Sequence, residues 1–301
     1  MILVSLLLMA TSFVFAANNI GMIRSSFQEV HGRAAWGYLG VVVAGFTGGY
    51  LAEGYKVGST VSSGLVRLTS YESAIALAVT LAVMAGFTFL RLPASISNVA
   101  LGAIVGPAIA LGEAVHWGGV YSILLAWLVA PVTAAVLAVL VYAVYLRCVS
   151  RWPLLTVARV NRFYGLATVA VTSYSLSANN LGMLLGFASG GLEVWSILVC
   201  AVLGSVLMSR LVASTLGWRV AVLSPAAYYS ALLAGSVTLW IYTQFGVPAS
   251  LTQTVVSAVL VLSLSRRPSV VKTRIIFEML GSWPFFLTFT LAVSYGLALL
   301  L

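Results

Sequence analysis

Charge is scarce in this chain. Only 7% of the 301 residues are charged and only six are acidic, whereas 61% are hydrophobic and the mean hydropathy is +1.09. Soluble domains carry about 25% charged residues. The composition therefore excludes a soluble catalytic or nucleic-acid-binding domain and predicts a multi-pass protein of the cell membrane. The net charge of +9 indicates basic loops that orient the chain in the lipid bilayer, and no nucleic-acid partner is expected.

Residues for metal and redox chemistry are also few. The chain has two cysteines, Cys148 and Cys200, and two histidines, His31 and His116. Their spacing is not that of metal ligands, and no disulfide is expected between a mid-span cysteine and one at a span end. No Ser–His, His–Glu or paired-carboxylate arrangement lies within the apolar stretches. The sequence therefore predicts no enzyme and no cofactor, with a coupling ion such as Na⁺ as the one candidate exception.

Two short polar motifs each occur twice, in the same order. Ala16–Met22 reads AANNIGM and Ser177–Met183 reads SANNLGM. Further along each half, PASISN at Pro93–Asn98 is matched by PASLTQ at Pro248–Gln253. The Asn pairs lie 161 residues apart and the Pro-Ala-Ser triplets 155. Duplicated polar interruptions of an apolar chain are typical of the central site of a transporter built from two repeats.

The apolar stretches predict an all-α membrane protein with about five membrane segments in each half. The predicted segments are Ile2–Ala17, Ala34–Ala52, Ser73–Leu90, Pro93–Leu111, Gly119–Tyr145, Phe163–Ala188, Val194–Val212, Ala226–Phe245, Pro248–Leu264 and Ile275–Leu301. The short first segment and the Gly-rich fourth are interpreted as broken or re-entrant helices that meet their counterparts near the membrane midplane. The first segment also has the small-residue end of a signal peptide, but it lacks a basic n-region, and this favours a membrane segment.

Basic connections predict that the two halves have opposite orientations. The stretches Arg147–Arg162 and Arg266–Arg274 each hold four basic residues and no acid, so both are expected in the cytoplasm. The first-half counterpart of the second stretch, Gly112–Gly118, has an acid and no Lys or Arg. We therefore divide the chain into a first repeat (1–146), a basic cytoplasmic linker (147–162) and an inverted second repeat (163–301). Both termini are then expected to be extracytoplasmic.

The two prolines predict a binding site for an anion. Proline followed by small hydroxyl residues is typical of a helix start, where free N–H groups and a partial positive charge attract anions. The side chains on these two first turns are Ser95, Ser97, Asn98, Ser250, Thr252 and Gln253. Alternatively, the hydroxyls bond within their own helices or join neighbouring helices. Their repetition in both halves favours a site for a tetrahedral oxyanion.

The repeated Asn pairs are the second part of this predicted site. Asn18, Asn19, Asn179 and Asn180 can donate hydrogen bonds to an anion or offer carbonyl oxygens to a cation. Alternatively, they mark helix C-termini, where Asn is common. The matching flanking residues favour a shared role in substrate binding. Three further motifs, Gly45-x-x-x-Gly49, Gly102-x-x-x-Gly106 and Gly182-x-x-x-Gly186, predict close helix contacts.

Together these motifs resemble those of the inorganic phosphate transporter family, which also includes sulfate permeases. That family carries a GANDVANA-like motif early in each half and a PVSTTH-like motif later, and Ala100–Gly106 (ALGAIVG) is similar to its VGAIVG. The resemblance implies a secondary transporter of phosphate or a similar oxyanion such as sulfate. It also implies alternating access between the repeats, with Na⁺ or H⁺ as candidate coupling ion. The sequence is compatible with a homodimer in the lipid bilayer.

The chain departs from this family at positions linked to coupling. Asn19 and Asn180 stand where the family has Asp, and Asn98 and Gln253 stand where it has His. The family's aspartates are associated with the coupling cation, so the resemblance makes Asn19 and Asn180 candidate coupling-ion positions. Neutral amides there leave two alternatives open: an uncoupled anion channel or facilitator on the same scaffold, and an anion sensor that does not transport.

Three charged residues near the motifs have two interpretations each. Arg24 and Arg91 either meet the incoming anion or anchor their helices at the interface. Glu278 is either a proton-coupling group or the i,i+4 partner of Arg274.

Overall fold

In the described part of this computed structural model, all regular secondary structure is helical. Described are residues 2–31, 35–90, 95–208, 223–266 and 273–300, except for the side chains of 21–22, 24–31, 35–36, 266, 273–280 and 282. The helices are α1 (Ile2–His31), α2 (Ala35–Ser59), α3 (Ser70–Phe89), α4 (Ile96–Ala110), α5 (Trp117–Val149), α6 (Leu154–Leu176), α7 (Gly182–Leu185), α8 (Gly191–Leu207), α9 (Pro225–Gln244), α10 (Leu251–Arg266) and α11 (Thr273–Leu300). Two π-helical segments, Thr60–Leu65 and Ser177–Leu181, extend α2 and α6. The predicted all-α class is confirmed.

Several described helices have the length and composition of membrane spans. Four contain an apolar stretch long enough to cross a bilayer: Ile2–Ile20, Ser70–Phe89, Trp117–Val149 and Trp283–Leu300. The apolar helices α4, α8 and α10 are shorter. Within the described residues, each predicted segment overlaps at least one of the helices.

The prediction that the first helix is broken at its Asn pair is wrong. α1 continues through Asn18 and Asn19 to His31. Asn19 Nδ2 donates to the Phe15 carbonyl oxygen one turn back, at 3.1 Å, so this amide bonds within the helix. In the second half, the residues of SANNLGM begin with the π-helical segment Ser177–Leu181, which continues α6. This Asn pair therefore does not end its helix either.

The helix after the basic linker begins earlier than the apolar stretch indicated. α6 begins at Leu154, directly after Pro153, and its first turns carry Arg159 and Arg162 at exposed positions. Hydropathy does not register this part because Arg159, Asn161 and Arg162 lower the average over the window. Much of the predicted 147–162 linker is therefore helical.

Two helical hairpins carry the Pro-Ala-Ser motifs. α3 and α4 pack together as hairpin 1 (70–110), and α9 and α10 as hairpin 2 (225–266). A capping box of Thr69 and Glu72 begins α3, and Gly246, at φ +67°, ends α9. His116 N, after hairpin 1, donates to the carbonyl oxygen of Leu65, before it, at 2.8 Å. The connections that enter and leave hairpin 1 therefore lie side by side. The described residues of each motif lie where the second helix of its hairpin begins.

The two halves are interlocked by an exchange of helices. α11, the last helix of the second half, packs against α4 and α3, and α5, the last helix of the first half, packs against α10 and α9. In the same way α1 packs against α8, and α2 against α6. One cluster is therefore made of α1, α3, α4, α8 and α11, and the other of α6, α9, α10, α2 and α5.

α2 and α6 lie in close contact and run in the same direction. A Cβ atom on Gly45 would come within 2.7 Å of Ser173 Cβ, and one on Gly49 within 2.1 Å of the Tyr174 carbonyl oxygen. Further along, Gly58 faces the Gly182–Gly186 turn. The Gly102 and Gly106 pair likewise lies against α11. The three predicted Gly motifs are thus confirmed as sites of close helix contact.

α1 and α8 also run in the same direction. Ser5 Oγ donates to Glu193 Oε1 at 2.5 Å near the start of both helices. Gly204, near the end of α8, lies against the backbone of Phe13 further along α1. The contact of α1 with α8 is therefore the counterpart of the contact of α6 with α2: each joins the first helix of one half to the second long helix of the other.

Candidate substrate site

An asparagine joins the first helix of each half to the tip of its own hairpin. Asn18 Nδ2 in α1 donates to Thr88 Oγ1 at the end of α3, at 3.0 Å. Asn179 Nδ2 donates to Thr243 Oγ1 at the end of α9, also at 3.0 Å. Each Thr hydroxyl donates to the carbonyl oxygen four residues back, and this leaves its lone pairs available to the amide. The same buried polar contact thus occurs at equivalent positions of the two halves.

The second-half amides also bond to the backbone of tip 2, which is the non-helical connection 245–250 between α9 and α10. Asn179 Nδ2 donates to the Val247 carbonyl oxygen at 3.0 Å, and Asn179 Oδ1 accepts from Ala249 N at 2.9 Å. Asn180 Nδ2 donates to the Ala249 carbonyl oxygen at 2.9 Å. Non-helical backbone inside an apolar bundle requires such partners, because no water is available to replace them. These amides therefore stabilise the tip.

The last helix of each half, α5 or α11, bonds to the hairpin of the other half near its Pro-Ala-Ser motif. Trp127 Nε1 in α5 donates to the Pro248 carbonyl oxygen of tip 2 at 3.2 Å. Asn98 Nδ2 in hairpin 1 donates to the Trp283 carbonyl oxygen of α11 at 3.4 Å. Each hairpin is therefore held both by the first helix of its own half and by the last helix of the other.

The predicted side chains on the first turns of α4 and α10 are all buried. Ser95 Oγ lies 3.0 Å from both Ser97 Oγ and Asn98 Oδ1. Ser250 Oγ accepts from Gln253 N at 3.3 Å and thereby caps α10. The Thr252 hydroxyl makes no hydrogen bond with the described residues. None of these six side chains is more than 6% exposed.

Two oxygens of the second-half set have no hydrogen-bond donor. Asn180 Oδ1 and Gln253 Oε1 are buried and unpaired among the described residues. The cost of leaving a buried polar atom unpaired is about 1–3 kcal/mol. Both atoms are carbonyl oxygens of the type that binds hard cations. This part of the site therefore offers acceptors and lacks the matching donors.

In the second half, Asn179 and Asn180 bond to the backbone at the Pro-Ala-Ser motif, whereas in the first half Asn18 bonds to Thr88 at the end of α3 and Asn19 to its own helix. The two halves meet here through α1, which touches both α6 and α9. Convergence of the two tips stays a prediction. Arg91 and Pro93 lie outside the described residues, as do the side chains of Arg24 and Glu278.

Sequence reasoning missed the two hairpin threonines. Thr88 precedes Pro93 by the same interval at which Thr243 precedes Pro248, in TFLRLP and TQFGVP. This shared spacing is a signal that extends each Pro-Ala-Ser motif toward the preceding helix.

Glu53 was also missed, and it is the anchor of hairpin 2 on α2. Its Oε2 accepts from Trp240 Nε1 and Gln244 Nε2, each at 3.0 Å. Lys56 Nζ lies 3.3 Å from Glu53 Oε1 and donates to Gln244 Oε1 at 2.7 Å. Tyr174 of α6 lies near this carboxylate. These partners lie far apart in sequence, so no local pattern could have predicted the cluster.

Duplicated hairpins, held by duplicated amides in an interlocked apolar helical bundle, define a membrane transport protein built from two related halves. Comparison with known proteins then gives the family. The phosphate transporter family matches the chain over residues 16–161 and 156–296, so the chain belongs to that family. The expected resemblance is confirmed, and the two matched ranges correspond to the two halves.

Two individual proteins are also similar to the chain. A putative phosphate permease of Methanocaldococcus jannaschii is 27% identical over 231 residues, which cover 76% of this chain and 73% of the relative. The solved structure described as the sodium-dependent phosphate transporter shares the fold, with a TM-score of 0.79 at 16% identity, over 100% of this chain and 99% of that one.

Proposed function

We propose that this protein is a secondary transporter of inorganic phosphate that works by alternating access between two inverted repeats. The observation that carries the proposal is the matched contact of Asn18 with Thr88 and of Asn179 with Thr243. It couples each hairpin tip to a long helix, so the tips can be exposed in turn as the helices move. Phosphate is the substrate named for the permease and the transporter to which the chain is similar.

The helix directions support inverted repeats. Gly186 lies against Gly58 of α2, whereas the carbonyl oxygen of Val194 accepts from Tyr50 OH further back along α2, at 2.9 Å. The chain therefore reverses between α7 and α8, and α6 runs opposite to α8. Since α1 runs with α8, α1 and its counterpart α6 have opposite directions. Opposite directions of equivalent helices are what an in-plane pseudo-two-fold axis requires.

Neutral donors would bind the anion in this proposal. The candidates are the free first-turn N–H groups of α4 and α10 and four hydroxyls, those of Ser95, Ser97, Ser250 and Thr252. The Thr252 hydroxyl has no partner among the described residues, and Ser250 Oγ acts as an acceptor toward Gln253 N, which leaves its own proton free to donate. The amides of Asn179 and Asn180 already donate to tip 2, so their proposed part in anion binding is through the geometry of the tip.

A coupling cation would lie beside the unpaired oxygens. Na⁺ prefers oxygen ligands, and Asn180 Oδ1 and Gln253 Oε1 are buried acceptors that lack donors. Asn19 in the first half donates to Phe15 of its own helix and is the equivalent candidate there. Without a carboxylate at either position, we expect cation binding to be weaker than with one, because the ligands carry no net charge.

The direct test is uptake of radiolabelled phosphate into liposomes that contain the purified protein. Uptake should be measured with an inward Na⁺ gradient, with a proton gradient and with neither, and with sulfate as competitor. Accumulation above the external concentration under one gradient supports coupled transport. Equilibration alone identifies an uncoupled facilitator, which the neutral amides favour as the second candidate. Binding without any flux would contradict transport and leave an anion sensor.

Restoring the family carboxylates should strengthen cation coupling. We expect Asn19→Asp with Asn180→Asp to increase the Na⁺ dependence of uptake, because a carboxylate is a far stronger ligand than an amide for a cation in an apolar site. The measurement is the Na⁺ concentration at half-maximal phosphate uptake, compared with that of the unmodified protein. A matched control is Asn161→Asp, outside both motifs. If the folded double variant shows unchanged cation dependence, these positions do not bind the coupling ion.

A native cysteine can test the proposed topology. Cys148 is exposed at the end of α5, within the basic stretch expected in the cytoplasm. We expect a membrane-impermeant thiol reagent to label Cys148 in inside-out vesicles and to leave it unlabelled in intact cells. The variant Cys200→Ser removes the second thiol, and Cys148→Ser is the blank. Labelling of Cys148 from outside would overturn the proposed orientation and with it the extracytoplasmic termini.

A further inference from the structure

A separate polar pocket lies at the end of the bundle where α1 and α3 begin. Its volume is about 200 Å³, whereas a water molecule takes up roughly 30 Å³. It is formed by the first turn of α3, the connection that precedes it, the π-helical end of α2 and the 186–189 turn of the second half. The central motifs contribute no lining residue. The pocket is therefore distinct from the candidate substrate site.

Hydrogen-bonding groups without partners line this pocket. Arg67 forms no ion pair or hydrogen bond with the described residues, although its guanidinium carries five donors. Within the described part of the chain the Ser73 side chain has no partner either, although it is only 8% exposed. The hydroxyls of the exposed Ser70 and Ser189 bond to no described residue. A buried hydroxyl that faces a polar cavity with nothing to bond indicates a missing acceptor.

The charges around the pocket favour an anion. Arg67 is the one charged side chain among the lining residues. Glu72, in the first turn of α3, is fully buried: its Oε2 accepts from Thr69 N at 2.6 Å, and its Oε1 has no partner among the described residues. Glu193 accepts from Ser5 Oγ and Ser189 N. Neither carboxylate lines the pocket. At the start of α3 the N–H groups of Ser70 and Tyr71 have no helical carbonyl to bond, whereas Glu72 N already bonds to Thr69 Oγ1 at 3.3 Å.

We propose that this pocket binds a phosphate group through Arg67, Ser73 and the start of α3. The group belongs either to inorganic phosphate that waits at the mouth of the transporter, a role that rests on the proposed function, or to a lipid headgroup. The central site contains no cation among its described residues, so a peripheral arginine gives the molecule a way to attract a dianion before it reaches the neutral donors. Guanidinium and hydroxyl donors are the chemistry that recognises phosphate oxygens.

The test is protection of a reporter thiol in the pocket, which does not depend on transport. In a background with Cys148→Ser and Cys200→Ser, Ser189→Cys is modified with a thiol reagent in nanodiscs of zwitterionic lipid. We expect inorganic phosphate, and not chloride at equal ionic strength, to slow the modification. Arg67→Gln should raise the phosphate concentration needed for protection about tenfold or more, because it removes charge-assisted hydrogen bonds. Arg151→Gln, an exposed arginine outside the pocket, is the matched control.

Two further comparisons identify the bound species and separate this proposal from the proposed function. Protection should persist in Thr252→Val, which alters the central site. If anionic phosphatidylglycerol in the nanodisc protects without inorganic phosphate, and Arg67→Gln abolishes this, the group is a lipid headgroup. The proposal is overturned if neither species protects, or if Arg67→Gln and Arg151→Gln behave alike. Should Ser189→Cys fold poorly, Ser62→Cys reports from the opposite wall.

Discussion

Replacing Gly102 by alanine is expected to destabilise the protein and to abolish phosphate uptake. The new Cβ atom would lie 2.3 Å from Thr290 Oγ1 and 2.4 Å from the Leu287 carbonyl oxygen of α11. The second of these is a backbone atom and cannot turn away, so α4 and α11 must separate. Overpacking of this kind costs about 1–3 kcal/mol, and more where backbone must move. The measurement is the temperature at which the protein in detergent loses its monodisperse peak.

Gly86→Ala in the adjacent α3 is the control for this change. No atom lies within 4 Å of a Cβ atom at Gly86, and alanine favours helix over glycine by about 1 kcal/mol. We expect this variant to be as stable as the unmodified protein or slightly more stable. Equal melting temperatures for the two variants would show that the α4–α11 contact does not determine stability.

Replacing Asn179 by alanine is expected to abolish transport even where the protein folds. The change removes the bonds to Thr243, Val247 and Ala249 and leaves two backbone groups of tip 2 buried without partners. At about 1–3 kcal/mol for each unpaired group, the tip should lose its geometry and the anion site with it. We expect phosphate uptake per amount of membrane-inserted protein to fall by roughly 100-fold or more relative to the unmodified protein.

Thr80→Ala is a suitable control for the asparagine change. Thr80 is also buried, but its hydroxyl donates only to the Ala76 carbonyl oxygen of its own helix, at 2.7 Å. Its removal is expected to leave uptake nearly unchanged. If the Asn179→Ala protein folds and transports phosphate with an unchanged KM, the amide is not part of the transport machinery.

The repeated motifs could be predicted from the sequence because an amide or a Pro-Ala-Ser triplet is conspicuous in an apolar chain. Asn18 and Asn179 were recognised in this way, and the structure places both at hairpin tips. Their partners Thr88 and Thr243 were not recognised, since a threonine in an apolar helix is ordinary and only the comparison of both intervals to proline singles it out.

Helix ends were harder to predict than helix positions. Hydropathy measures how apolar a window is, so it ended the first segment at Ala17 although the amide of Asn19 bonds within the continuing helix. It also omitted the polar first turns of α6. The Glu53 cluster and the Arg67 pocket depend on contacts between residues distant in sequence, which no local pattern contains.

The exchange of terminal helices has a consequence for biosynthesis. α5 leaves the ribosome well before α10, the helix it packs against, and hairpin 1 is made long before α11 covers it. The first half therefore cannot complete its packing as an independent domain, and it must wait in the bilayer with an apolar but unpaired surface until the second half arrives. The cluster of α2, α5, α6, α9 and α10 can close once α10 is made, and the other closes only with α11, so interruption of synthesis after the first half leaves neither cluster complete.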